Sequence, residues 1–264
     1  MILINGRPES QIEYRDRGLM YGDGLFETIR VVDGELRLWF RHLARLKAGL
    51  LRMGIPAPRD DELLSEANQL CAKQSGVLRL TVTRGVGARG YRCPKAVFPT
   101  RVLDFSPTDF QSHVIGLRVR LCNFRLSIQP GLAGMKHLNR LEQVMARREW
   151  EDDFEEGLML DTEGRVVEGT MSNVFLVDGE RLITPSLERC GVDGVLRRLV
   201  LDVAADHGLQ AVIADILPEE LNRVDGAFMT NSLTGIRPVI ALEGRPMPQS
   251  DAVTVLQASL EGLW

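Results

Sequence analysis

The chain has 264 residues and a formal net charge of −4; at roughly 100–200 residues per domain, that is one large domain or two modest ones with room for a real core. A slightly acidic chain argues against a nucleic-acid binder, which carries a basic face or a high pI. No apolar run approaches the ~18–20 residues of a membrane span, and residues 1–7 lack the basic lead, apolar stretch and cleavage site of a signal peptide.

In chain order, a short apolar run ends at the turn pair Asn5-Gly6. Residues 25–32 and 35–39 flank Asp33-Gly34, which predicts a hairpin. Leu43, Leu46, Leu50 and Leu51 fall at helical spacing over 42–53, and Gly54 and Pro56 stop that helix. A second helix is predicted over 60–74, with acidic residues in its first turn as the dipole prefers. Strands are expected over 77–83 and 101–105, joined by a loop containing Gly85, Gly87 and Gly90. The polar stretch after it reads as an interdomain linker over 108–113.

The second part predicts a strand over 117–122 and a helix over 138–149. Short strands follow over 157–161, 166–168, 173–177 and 181–184, separated by Glu163-Gly164 and Asp178-Gly179. A helix over 195–207 ends at Gly208, then come a strand over 209–216, a short helix over 218–223, strands over 227–230 and 238–242, and a closing helix over 251–263. Strands interleave with helices but with many hairpins, so the fold class is α+β. The expected domains are a small α+β domain over 1–107, the linker, and a larger α+β domain over 114–264 that carries Lys136.

Cys71, Cys93, Cys122 and Cys190 form no CxxC pair and read as reduced cytosolic thiols. His42, His113, His137 and His207 make no ligand spacing, so no metal site is expected.

Four segments carry chemically useful residue types, and each has a plain alternative. Lys136 follows a Gly-Leu-Ala-Gly loop at the mouth of a predicted helix, where the dipole disfavours a cation. It is either a solvated lysine or a Schiff-base lysine whose surroundings keep its amine partly deprotonated. Glu168 opens a polar turn before the strand at Asn173: a hairpin turn, or a buried carboxylate facing a cationic ring nitrogen. Residues 191–194 open a helix whose backbone N–H groups suit a phosphate, and residues 230–235 offer more donors. Arg45 is a surface charge or a phosphate clamp. Together these are the parts of a pyridoxal-phosphate site.

The order and spacing of the segments resemble the fold-type IV pyridoxal-phosphate enzymes over nearly the whole chain. Residues 21–30 are similar to that family's N-terminal signature and residues 168–175 to its central one. Residues 131–144 and 83–91 resemble the lysine segment and substrate loop of its aminodeoxychorismate lyases. The resemblance implies a two-domain α+β fold with pyridoxal 5'-phosphate in the interdomain cleft, in a cytoplasmic homodimer. It implies conversion of 4-amino-4-deoxychorismate to 4-aminobenzoate and pyruvate, toward folate; the alternative is a branched-chain or D-amino-acid aminotransferase on the same scaffold. Lys136 is then the aldimine lysine and general base, and Glu168 the partner of the ring nitrogen. Arg45, the Val192 and Asp193 amides and Ser232 hold the phosphate. Arg89 and Tyr91, with Thr28 and Arg30, meet the substrate. Family members often carry Thr or Asn where Asp193 stands, and a carboxylate beside a phosphate is unfavourable. The Asp193 side chain is therefore expected to point away, capping the helix.

Overall fold

Leu25, Ile29 and Val31 alternate with Phe26, Thr28 and Arg30, and a period of two makes a strand with unlike faces. The computed structural model, which describes residues 1–110 and 116–264, builds its first sheet around that strand. The chain divides into two units, Met1–Ser112 with Met135–Asn139, and His113–Gly134 with Arg140–Trp264. The linker expected over 108–113 lies in part outside the described residues. The lysine segment, expected in the C-terminal domain, clusters with the N-terminal unit.

Among the described residues, the first unit holds β1 (Ile2–Ile4), α1 (Arg17–Tyr21), β2 (Gly24–Val32), β3 (Glu35–Leu36), α2 (Trp39–Met53), α3 (Asp60–Cys71), β4 (Gly76–Thr83) and β5 (Thr100–Pro107). The sheet order is β1-β5-β4-β2-β3, antiparallel throughout. Leu25, Ile29, Leu78, Leu80 and Leu103 share a core with Leu43, Leu46 and Leu50 of α2 and Leu63 of α3. Asp33 (φ 52) and Gly34 (φ 85) both take the left-handed conformation of the tightest hairpin turn. The returning strand is shorter than expected: Leu38 turns left-handed at φ 54 and the helix starts at Trp39. The five-residue α1, too short to show a period, was not foreseen; its signal is Asp16, whose side chain accepts from the Gly18 N–H.

Glu27 lies on the core face of β2 and is 1 % exposed. It accepts from Arg45 Nε at 2.9 Å and also from Arg45 Nη2. His42 Nδ1 lies 2.6 Å from Glu27 Oε2, the oxygen that also accepts from Arg45 Nη2, and His42 Nε2 is buried without a hydrogen-bond partner. Burial would raise the Glu27 carboxyl; the Arg45 charge and the His42 hydrogen bond outweigh it and hold it at about 2. Burial pushes the His42 imidazole down, against the opposing pull of Glu27.

The second unit holds β6 (Leu117–Leu121), α4 (Leu141–Arg147), β7 (Glu156–Leu160), β8 (Val166–Gly169), β9 (Asn173–Asp178), β10 (Arg181–Pro185), α5 (Val195–Val203), β11 (Gln210–Ala214), β12 (Gly226–Asn231), β13 (Gly235–Leu242), β14 (Arg245–Pro246) and α6 (Asp251–Leu260). Its strands run β11-β10-β9-β12-β13-β6-β7-β8, with β14 beside β13. Parallel pairs (β10/β11, β13/β6, β6/β7) mix with antiparallel ones, the α+β pattern expected. Phe175 and Phe228 face each other across β9 and β12 and stack at 5.0 Å between ring centroids. The helix expected over 195–207 gives way after Val203 to a 3₁₀ turn ending at Gly208 (φ 71).

Glu27→Gln removes one partner of a buried ion pair and is expected to cost ~3–5 kcal/mol near neutral pH. A carboxyl lowered by folding stabilises above its unfolded value and loses that contribution as pH falls through its folded one. Denaturant titrations should therefore show the gap between wild type and variant closing from pH 4.5 to about 2.

Candidate active site

The two-residue β3 pairs with β2 at Val31 and Val32, and Arg37 N–H donates to the Arg30 carbonyl at 2.9 Å, which leaves the Gly24 end of that edge open. The lysine segment fills it. Phe26 N–H donates to the Lys136 carbonyl at 3.0 Å, Leu138 N–H donates to the Gly24 carbonyl at 3.0 Å, and His137 bridges Leu25. Lys136 is thus extended, not at the mouth of a helix; α4 begins only at Leu141. The dipole argument for its placement falls away, because strand pairing fixes it instead. Its Nζ lies 4.5 Å from the Phe26 ring centroid. Arg79, which sequence reading passed over, places its guanidinium carbon 4.1 Å from the same centroid. Arg79 stands opposite Thr28 in the β2–β4 register, so Phe26, Thr28, Arg30 and Arg79 share the face turned away from Glu27. Arg30 packs on Phe110 at 4.1 Å.

Arg45, expected at a phosphate, is buried on α2 with Glu27 as its counterion. Arg89 is exposed, and Tyr91 is 85 % exposed with its ring edge against Tyr21 at 5.3 Å.

In the second unit, Glu168 lies in β8, one residue before its end, with its carboxylate buried. Its Oε2 accepts from the Val192 N–H at 2.7 Å, and the Val192 carbonyl accepts from Asn173 Nδ2 at 2.8 Å. Asp193 N–H donates to the Gly134 carbonyl at 3.1 Å. Both amides expected to face a phosphate therefore already serve acceptors in the chain. The cap residue of α5 is Gly194, one position after Asp193. The Asp193 side chain pairs with Arg197 at 3.0 Å and Arg198 at 2.6 Å, which offset its charge. Ser232 lies in a turn organised by Asn231 Oδ1, which accepts from the Leu233 and Thr234 N–H groups at 2.9 and 2.8 Å. The neighbouring Thr230 hydroxyl is buried without a hydrogen-bond partner.

Glu156 is the second carboxylate that sequence reading missed. It sits among Asp152, Asp153 and Glu155, where a run of acids reads as a solvated face. Only the structure shows it 3 % exposed, accepting from the Gly157 N–H (2.9 Å), the Thr170 N–H (3.1 Å), the Thr170 hydroxyl and the Ser172 hydroxyl (2.8 Å). It moulds the turn between Glu168 and Asn173.

The aminotransferase class IV model matches residues 24–242. The chain belongs to the aminotransferase class IV family. Within this family it is 37% identical over 246 residues to the aminodeoxychorismate lyase of Vibrio harveyi, covering 90% of each chain. Among solved structures it is similar to the 4-amino-4-deoxychorismate lyase of Pseudomonas aeruginosa, with a TM-score of 0.93, 45% identity and 98% of each chain covered. It is also 29% identical to a putative branched-chain-amino-acid aminotransferase of Methanocaldococcus jannaschii, over 92% of this chain and 88% of that one. No helix among the described residues is long and apolar enough to cross a membrane.

Glu156→Gln puts an amide group where a buried oxygen accepts. We expect a loss of ~1–3 kcal/mol in urea unfolding, the cost of leaving buried donors unmatched.

Proposed function

We propose that this class IV family member is a pyridoxal-phosphate-dependent lyase converting 4-amino-4-deoxychorismate to 4-aminobenzoate and pyruvate, a step toward folate. The observation that carries the reading is the likeness, along almost the whole of both chains, to the Pseudomonas aeruginosa lyase. The residues present suit the cofactor chemically. They include an amine at Lys136, a buried carboxylate at Glu168, a buried guanidinium at Arg45 and the Thr230 hydroxyl, which is buried without a partner.

When bound, pyridoxal phosphate supplies an electron sink for negative charge developing on the substrate carbon that carries nitrogen. Lys136 Nζ would hold the cofactor, and as a free amine it would take the proton from that carbon. The same Nζ returns a proton to the methylene carbon of the departing enolpyruvate. The carbon–oxygen bond breaks, pyruvate leaves and the remaining ring is aromatic. Glu168 would oppose the positive charge of the ring nitrogen and so favour its protonated form. Arg45, braced by Glu27, and Ser232 would hold the phosphate. The Val192 and Asp193 amides fix Glu168 and the turn before α5, and the pairing of Asp193 with two arginines offsets the repulsion its charge implied. Arg89 and Arg30 take the substrate carboxylates, flanked by Tyr91 and Thr28.

The protein works as a cytoplasmic homodimer in this reading. Tyr14, Leu19, Met20 and Phe98 leave apolar surface exposed on the first unit, which a second copy covers, and the four cysteines are free thiols.

The test follows 4-aminobenzoate and pyruvate together from enzymatically prepared aminodeoxychorismate. Equimolar products are expected, with turnover lowered at least ~10³-fold in Lys136→Ala, the scale of a lost general base. Keto-acid-dependent amino exchange with no aromatic product would move the assignment to an aminotransferase.

A further inference from the structure

The segment from Gly85 to Tyr91 is poorly suited to hold a shape by itself. Gly85 (φ +83) and Gly90 (φ +102) are left-handed, Gly87 adds a third flexible position, and Arg89 and Tyr91 are exposed. Its order comes from outside: Gly87 N–H donates to the Arg15 carbonyl at 3.3 Å, Val86 pairs with Asp16, and Arg17 of α1 holds the far end.

Arg17 is 4 % exposed, and its guanidinium forks three ways. Nε donates to Asp23 at 2.8 Å, Nη1 to the Gly90 carbonyl at 2.9 Å and Nη2 to the Tyr91 carbonyl at 3.2 Å. Its own backbone N–H donates to the Gly85 carbonyl at 2.9 Å, so one residue ties both ends of the loop. Tyr21, one helical turn on, lies under the guanidinium at 4.9 Å and accepts from the Gly90 N–H at 2.9 Å. Asp23 closes the network. It also accepts from Arg84, just before the loop, at 2.7 and 3.1 Å, while Arg84 donates to the Met53 and Gly54 carbonyls. Burial would raise the Asp23 carboxyl, and the two arginines hold it below its ordinary value.

We propose that Arg17 is a positioning residue for substrate recognition: its fork on the Gly90 and Tyr91 carbonyls sets where Arg89 and Tyr91 present themselves to the carboxylates of the substrate. The inference rests on the substrate role given to those two residues above. It assigns Arg17 no contact with substrate or cofactor. A lysine cannot replace it, because one ammonium does not reproduce a planar fork locked by a carboxylate.

The test uses the cofactor-loaded enzyme and two variants. Arg17→Lys keeps the charge and loses the fork. Gly87→Ala leaves Arg17 in place, but the added Cβ meets Arg17 Cδ at 2.9 Å and pushes the side chain off its carbonyls, at a backbone position outside the left-handed region. In both, KM for aminodeoxychorismate should rise roughly tenfold, less than the worth of one hydrogen bond to a charged group, with kcat within about twofold. The cofactor absorbance should be unchanged, and amide exchange over residues 87–91 should quicken about tenfold while that of the β2–β4 core stays put. Unchanged loop exchange overturns the clamp. A loosened loop with unchanged KM overturns its role in recognition, as does a joint fall of kcat and cofactor binding. If Arg17→Lys does not fold, Gly87→Ala decides alone. Absence of lyase turnover in the wild type counts against the proposed function, and the exchange data still decide the clamp.

Discussion

The backbone of the lysine segment is seated by strand pairing with β2. A hairpin strand of two residues leaves part of the β2 edge unpaired, and an exposed edge is a template for another strand. Lys136–Leu138 satisfies it with two hydrogen bonds and a bridge. The amine is thereby aimed along a sheet face already lined by Phe26, Thr28 and Arg79. α2 buries the opposite face of the sheet, and β2 pairs along its length with β4.

Buried carboxylates do the remaining placement. Glu27 fixes the Arg45 guanidinium, Glu156 moulds the turn after β8, Glu168 is joined to the amide of Val192, and Asp23 joins two arginines. Each acts as an acceptor only, and an ionised carboxylate can gather several donors at once. Their burial is tolerated because the donors are there; remove them and the same groups would be costly. A polar scaffold of this kind resists small shifts, since any movement breaks several bonds together.

Local chemistry was legible in the sequence. The Asp33-Gly34 turn, the leucine spacing of α2, the α+β class and the segments carrying Lys136 and Glu168 all depend on neighbours a few residues apart. What was not legible depends on pairings between distant positions. The extended state of Lys136 requires β2, far earlier in the chain, as its partner. Arg79 becomes interesting only once the register sets it opposite Thr28. Arg17 looks like one more charge in a polar stretch until the loop at Gly90 is folded over it. The ion pairs of Asp193 with Arg197 and Arg198 appear only once α5 is folded. Glu156 was hidden by its acidic neighbours.

The left-handed turn at Leu38 carries a meaning beyond helix initiation. By ending the hairpin after two residues it decides which of two claimants owns the β2 edge. A returning strand that ran on in the same register would reach Phe26 and displace the lysine segment. Surface hairpins usually tolerate growth, because lengthening a loop is cheap. Here the hairpin is a ruler: its length is coupled to the seating of a residue far downstream, so drift in one short loop is restrained by chemistry that the loop never touches.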